Sequence, residues 1–150
     1  LRKVHPKFIS KKELGKGIPS VSLNLRIGGS ALIDRKDGKQ ALAEIKKTGE
    51  YINKNNYSVV IFPEGTRSKT GKPKEFATNG LKMLYKFAPD SYFVPISINN
   101  SWKMNKFGAF PLGLGTNITL EIHEPLKVSE YSFDEIFEKT EHIIKSHIKQ

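Results

Sequence analysis

An α/β fold, with a largely parallel sheet covered by helices, is predicted by three observations. Short apolar runs alternate along the chain with longer stretches of helical period. One helical stretch, residues 38–54, joins two short apolar runs at 31–33 and 58–62, and a strand–helix–strand crossover makes its strands parallel. The length, 150 residues with 37% hydrophobic and 27% charged side chains, suits one globular domain with a real core. Residues 1–150 are therefore read as a single domain.

The elements follow in order. Phe8-Ile9-Ser10 is a short extended piece. Residues 19–28 are ambiguous, with a short helix favoured. Ala31-Leu32-Ile33 is a short buried strand. Residues 38–54 carry apolar side chains at 41, 42, 45 and 52, the stripe of one helical face. Residues 58–62 are a strand that Pro63 ends, and 63–76 are a polar loop rich in Lys, Gly and Pro. Residues 77–88 are a helix stopped by Pro89-Asp90. Tyr92 to Ile98 is a strand with Pro95 inside it, which indicates an edge or a strand end. Residues 99–116 form a long loop, and 117–122 alternate as a strand. The last helix begins at Ser132, with Glu135 three residues on as a capping box.

Composition excludes several classes. No apolar run approaches the ~20 residues of a bilayer-spanning helix. The absence of cysteine rules out disulfides, thiolate nucleophiles and Cys-ligated zinc. The first residue is Leu, which leads us to expect a chain that is part of something longer. Net charge is +10, unevenly placed: residues 1–120 hold 21 basic and 8 acidic side chains, and residues 121–150 hold 4 and 7. A basic body suits anionic partners such as acidic lipid headgroups or phosphorylated metabolites. Aromatic and basic residues are not interleaved as in RNA-binding patterns, so no nucleic acid is expected.

The chemistry-bearing residues sit where strands stop. Asp34-Arg35 follows the 31–33 strand, and Pro63-Glu64-Gly65-Thr66-Arg67 follows the 58–62 strand. In a parallel pair these ends share the edge where open α/β sheets bind ligands. Two guanidinium groups there suit a phosphate, because each offers bidentate donors and keeps its charge. Gly65 lets the backbone approach a ligand, and Thr66 adds a hydroxyl. Glu64 can orient an arginine or accept a substrate hydroxyl proton. The competing reading pairs Arg35 and Arg67 with Asp34, Asp37 and Glu64 as solvated surface charges. The segment Arg67–Lys74 carries four positive charges and no negative one, and reads either as an anion contact or as a solvated loop.

Residues 61–68, IFPEGTRS, resemble the FPEGTRS block of the lysophosphatidic acid acyltransferases, the 1-acyl-sn-glycerol-3-phosphate acyltransferases. Gly29 to Arg35 is similar to that family's second block, which ends in Asp-Arg, and Val94-Pro95-Ile96-Ser97-Ile98 looks like its fourth. Phe8 to Leu14 resembles the stretch preceding the second block. The resemblance covers residues 7 to about 122 and implies a glycerolipid acyltransferase-like fold. It implies transfer of a fatty acyl group from acyl-CoA or acyl carrier protein to the sn-2 hydroxyl of lysophosphatidic acid, giving phosphatidic acid in phospholipid biosynthesis. Arg35 and Arg67 would hold the acceptor's phosphate, and Glu64, Gly65 and Thr66 would shape its pocket. Lys11, in competition with Lys12, would add a positive charge, and Pro95 would support the sheet. Membrane association at the cytoplasmic face and no cofactor are further expectations.

The family's first block, His, four residues, then Asp, supplies its general base. Here the fifth position after His5 is Ser10, so the His/Asp pair is expected upstream of residue 1. The chain alone is expected to bind glycerol phosphate headgroups weakly and to transfer no acyl group. Among the other histidines, His123 and His147 read as structural and His142 as polar-facing, none with a Ser or Asp partner at motif spacing. No metal-ligand spacing is present, and none is needed for acyl transfer from a thioester, so no metal is expected. The other function considered is a non-catalytic module that binds phosphorylated lipid at an anionic membrane surface.

Overall fold

The computed structural model describes residues 6–16, 19–105 and 113–149. His5 and the 106–112 part of the expected loop lie outside the described residues. The chain divides into two compact units, one from Leu1–Pro63 with Thr78–Asp90, the other from Glu64–Ala77 with Ser91–Gln150.

The first unit is built on three parallel strands. β1 (Pro6–Lys11) lies between β2 (Ala31–Ile33) and β3 (Ser58–Val60), pairing Ile9 with Ala31 on one side and Pro6 with Ser58 on the other. The two strands expected to be parallel are so, with β1 inserted between them. Between β1 and β2 comes α1 (Pro19–Ile27), the helix favoured for the ambiguous stretch. Pro19 stands at its first position, where a missing N–H costs nothing. Buried Ser22 ties the helix back by donating to the Leu14 carbonyl at 3.2 Å.

The crossover helix α2 (Gly38–Asn55) starts because the Asp37 side chain accepts the Gln40 N–H at 3.0 Å, and ends because Asn56 adopts a left-handed conformation. Its buried face is Ile45, Thr48, Gly49 and Ile52, and Ala41 and Leu42 are only half-buried. Gly49 is there for closeness: a Cβ would stand 3.0 Å from the Phe87 Cβ of α3 (Thr78–Phe87). Gly80 of α3 similarly admits Ile61 and Ile45, so α3 seals α2 against the residue that follows β3.

The β3 ladder ends at Val60, two residues earlier than expected, and Phe62 is 57% exposed. Pro63 has no N–H to give a ladder and holds the residue before it away from helical geometry, so the chain leaves the sheet into a turn.

In the second unit the expected strand at Tyr92–Ile98 divides at buried Pro95. β4 (Tyr92–Phe93) pairs antiparallel with β7 (Leu126–Lys127), and β5 (Ile96–Asn99) pairs antiparallel with β6 (Thr119–Ile122). Pro95 cannot donate, but its carbonyl accepts the His123 N–H at 3.0 Å and keeps both ribbons in step. Within the expected 99–116 loop, Ser101–Asn105 forms a 3-10 turn. α4 (Phe133–Ser146) opens on the complete Ser132–Glu135 capping box and buries Phe133, Ile136 and Thr140. Its far end is tied to β5: Ser97 donates to the Ile144 carbonyl at 3.2 Å and Asn99 to the His147 carbonyl at 3.1 Å.

Candidate functional site

The carboxyl ends of β1, β2 and β3 lie on one edge of the parallel sheet. Lys11 closes β1 there, exposed. Its neighbour Lys12 forms an ion pair with Asp34 at the end of β2. Asp34 also accepts the Lys36 N–H at 2.9 Å, and its own N–H donates to the Gln40 Oε1 at 2.8 Å. Gln40 in turn donates to the Leu32 carbonyl at 3.2 Å. Exposed Arg35 therefore sits on a turn whose backbone is pinned from both sides.

The hydrogen bond from Lys12 and, after it, that from the Lys36 N–H hold the Asp34 carboxyl below its ordinary range. The same bond to Asp34 raises the Lys12 ammonium. The folded Asp34 thus binds its proton less readily than the unfolded one. Its contribution to stability is present above the unfolded value of ~3.9 and disappears as pH falls through the lower folded value. In an NMR titration, the Asp34 side chain should show a midpoint below that of a free aspartate, and Lys12→Ala should move it upward. A midpoint unmoved by Lys12→Ala would contradict the pairing.

The segment after β3 is held differently. Glu64 accepts the Lys74 N–H at 3.2 Å, and the Lys74 ammonium donates to the Thr66 hydroxyl at 2.7 Å. Lys74, read from sequence only as part of a basic run, is thus the residue that closes this loop. Gly65 has φ +67°, and a Cβ there would meet nothing within 4 Å, so the turn needs glycine for its conformation. Further along, Gly71 at φ +83° lies where a Cβ would come within 2.5 Å of the Trp102 indole nitrogen. At its end the loop meets α4, where the Phe76 N–H donates to Glu141 at 3.4 Å. Arg67 is exposed on this loop, beyond the closed turn.

The three carboxylates nearest the two arginines in sequence each have a partner. Asp34 is held by Lys12 and the Lys36 N–H, Asp37 caps α2, and Glu64 accepts from Lys74. Glu64 is therefore an anchor of its own turn. Lys11 and Arg35 belong to the first unit, and Glu64, Gly65, Thr66 and Arg67 to the second.

Sequence spacing did not reveal a partner for His123. Its Nε2 lies 2.8 Å from the Ser97 hydroxyl, 26 residues away. Ser97 is 0% exposed, which denies it the access a nucleophile needs. Glu121 and His123, two residues apart at the period of a strand face, were the available signal, and Glu121 lies opposite Ser97 in the β5–β6 ladder.

Comparison with known proteins matches residues 2–99 to the acyltransferase family model. The 1-acyl-sn-glycerol-3-phosphate acyltransferase of Cocos nucifera is 30% identical over 105 residues, 69% of this chain and 33% of that protein. The enzyme of that name from Helicobacter pylori is 43% identical over 75 residues, 48% of this chain and 31% of that protein. The crystal structure of the 1-acyl-sn-glycerophosphate (LPA) acyltransferase PlsC from Thermotoga maritima superposes with a TM-score of 0.67 at 26% identity, covering 95% of this chain and 55% of that one. The chain spans about a third of the two curated relatives' length.

Proposed function

This chain belongs to the acyltransferase family, and from that premise we propose that it serves the transfer of a fatty acyl group to the sn-2 hydroxyl of 1-acyl-glycerol 3-phosphate. The product is phosphatidic acid, and the donor is an acyl thioester, acyl-CoA or acyl carrier protein. The observation that carries the reading is the turn at Glu64–Arg67, which Lys74 closes by donating to the Glu64 carboxylate and the Thr66 hydroxyl.

Arg67 and Arg35 are the cations we assign to the acceptor's phosphate, with Lys11 adding a third charge. A guanidinium offers the phosphate a planar fork and stays protonated at any working pH. Fixing the phosphate positions the glycerol hydroxyl, and orientation of this kind supplies much of an acyl transfer's rate. In the reaction, the hydroxyl oxygen attacks the thioester carbonyl, a base takes the hydroxyl proton, and the thiol leaves with a proton returned to its sulfur. Glu64 and Thr66 shape the acceptor's side of the loop. None of the chain's four histidines is followed at the fifth position by Asp, and no residue here is assigned as the base. Contact with an anionic membrane surface, where the acceptor resides, accords with the net charge of +10. Among the described residues no helix is long and apolar enough to cross a membrane.

The test is thioester consumption by the full-length gene product, with and without lysophosphatidic acid. Turnover that requires the acceptor is the expected result. No turnover, with binding to anionic vesicles retained, would replace the enzyme with a lipid-binding module.

A further inference from the structure

We propose that Glu121, His123 and His147 form a binding site for one borderline divalent cation of the Zn2+ class, His123 binding through Nδ1 and His147 through Nε2. The proposal does not depend on the acyltransferase reading, since none of these residues belongs to the loops assigned to the acceptor.

One ligand atom from each of the three residues lies within 4.8 Å of the other two. Nitrogen and oxygen ligands around a tetrahedral Zn2+ stand ~3.4 Å apart, given bonds of ~2.0–2.2 Å. Glu121 and His147 are exposed, so a modest side-chain rotation covers the difference and an ion has a path in. Two imidazoles and one carboxylate are the donor set of borderline cations, and they leave a position for water. Mg2+ and Ca2+ prefer oxygen ligands.

Hydrogen bonds to the second nitrogen of each ring bear on which nitrogen can face an ion. With the Ser97 proton on the Ile144 carbonyl at 3.2 Å, the Ser97 oxygen accepts from His123 Nε2 at 2.8 Å, and this is the tautomer the site requires. In that tautomer His123 carries its proton on Nε2 and a lone pair on Nδ1. His147 Nδ1 lies 2.8 Å from the Ile143 carbonyl, which can only accept, so the proton is on Nδ1 and the lone pair on Nε2. Ser146 agrees: its hydroxyl donates to the Ile143 carbonyl at 3.0 Å, and its oxygen faces His147 Nδ1 at 3.1 Å. Each ring is therefore oriented through its second nitrogen, one by a buried hydroxyl and the other by a helix carbonyl. This is how metal-binding histidines are commonly held. The two ring centroids stand 4.4 Å apart.

The backbone supports the same cluster. Glu121 lies in β6 opposite Ser97 in the ladder, and His123 follows directly after the strand, its N–H held by the Pro95 carbonyl at 3.0 Å. His147 caps α4, and its carbonyl is held by Asn99 of β5. A bound ion would fasten the end of α4 to β6.

The experiment uses untagged protein and ZnCl2, with MgCl2 as the contrast, in calorimetric titration and thermal unfolding. One Zn2+ per chain is expected, with a rise in Tm that Mg2+ does not give. At a free concentration ~100 times the Kd the folded state gains ~100-fold over the unfolded. Glu121→Gln and His147→Gln, both at exposed positions, should each weaken Zn2+ at least ~10-fold, and His142→Gln should leave it unchanged. Ser97→Ala, checked for folding by circular dichroism, should weaken it ~10- to 100-fold through loss of ring orientation. Absence of one-equivalent binding, or binding that survives both Glu121→Gln and His147→Gln, would overturn the proposal.

Discussion

Replacing Arg67 with alanine in the full-length gene product should raise the KM for lysophosphatidic acid by ~10- to 150-fold, the equivalent of the ~1.5–3 kcal/mol of a charge-assisted hydrogen bond. The magnitude rests on how the loop is held. Gly65 takes the left-handed turn, Lys74 closes it through Glu64 and Thr66, and Phe76 ties its far end to α4. A side chain on a pre-ordered loop loses less entropy on binding, so its contacts reach the ligand at nearly full value. Arg67→Lys should recover only part of the loss, because an ammonium lacks the bidentate fork. The KM for the acyl thioester should stay within about threefold, since that substrate is assigned no contact with this guanidinium. Steady-state kinetics varying each substrate separately reads both values. An acceptor KM unchanged in Arg67→Ala would remove Arg67 from the phosphate site.

Arg35 gives the parallel case with a different support. Its turn is pinned by Asp34, Lys12 and Gln40, so Arg35→Ala should act on the same KM.

Local order was legible in the sequence wherever it is dictated by local chemistry. The Ser132–Glu135 box specifies the start of α4 because both partners lie within one turn. The apolar period of residues 38–54 specifies α2, though the face that is buried includes Thr48 and Gly49, which no hydrophobic count selects. Thr48 hides its hydroxyl by donating to the Glu44 carbonyl at 2.8 Å, and Gly49 is selected by Phe87. Pairing across long separations was less legible. The crossover rule made β2 and β3 parallel, yet it could not place β1 between them, because the rule fixes direction and not adjacency. Pro95 indicated a break, but which strand each half would join depends on residues 20 to 35 positions away.

The site divides along the same line. Arg35 and Arg67 could be picked out because strand ends and a compact motif mark them. Lys74 could not, since its partners Glu64 and Thr66 are ten and eight residues away across a loop without periodicity. The competing surface-charge reading turns on tertiary facts that sequence does not carry: Lys12 engages Asp34, the Gln40 N–H engages Asp37 and the Lys74 N–H engages Glu64.

Ile136→Ala should destabilise the protein by ~2–5 kcal/mol, the range for removing a large aliphatic side chain from a packed interior. Ile136 is 0% exposed, on the face of α4 that also buries Phe133 and Thr140. Helix propensity works the other way, since alanine is the better helix former by less than ~1 kcal/mol, so a loss of this size would report packing. The effect should spread beyond the helix. α4 holds β5 through Ile144 and His147 and holds the Glu64–Ala77 segment through Glu141, so loosening it frees the loop that carries Arg67. In urea, with m of ~2 kcal/mol/M, the midpoint of the transition should fall by ~1–2.5 M at unchanged m. Ile136→Val, which keeps the branched shape, should cost only ~0.5–1.5 kcal/mol. Equal midpoints for Ile136→Ala and the wild type would mean that α4 does not pack on the core through this residue.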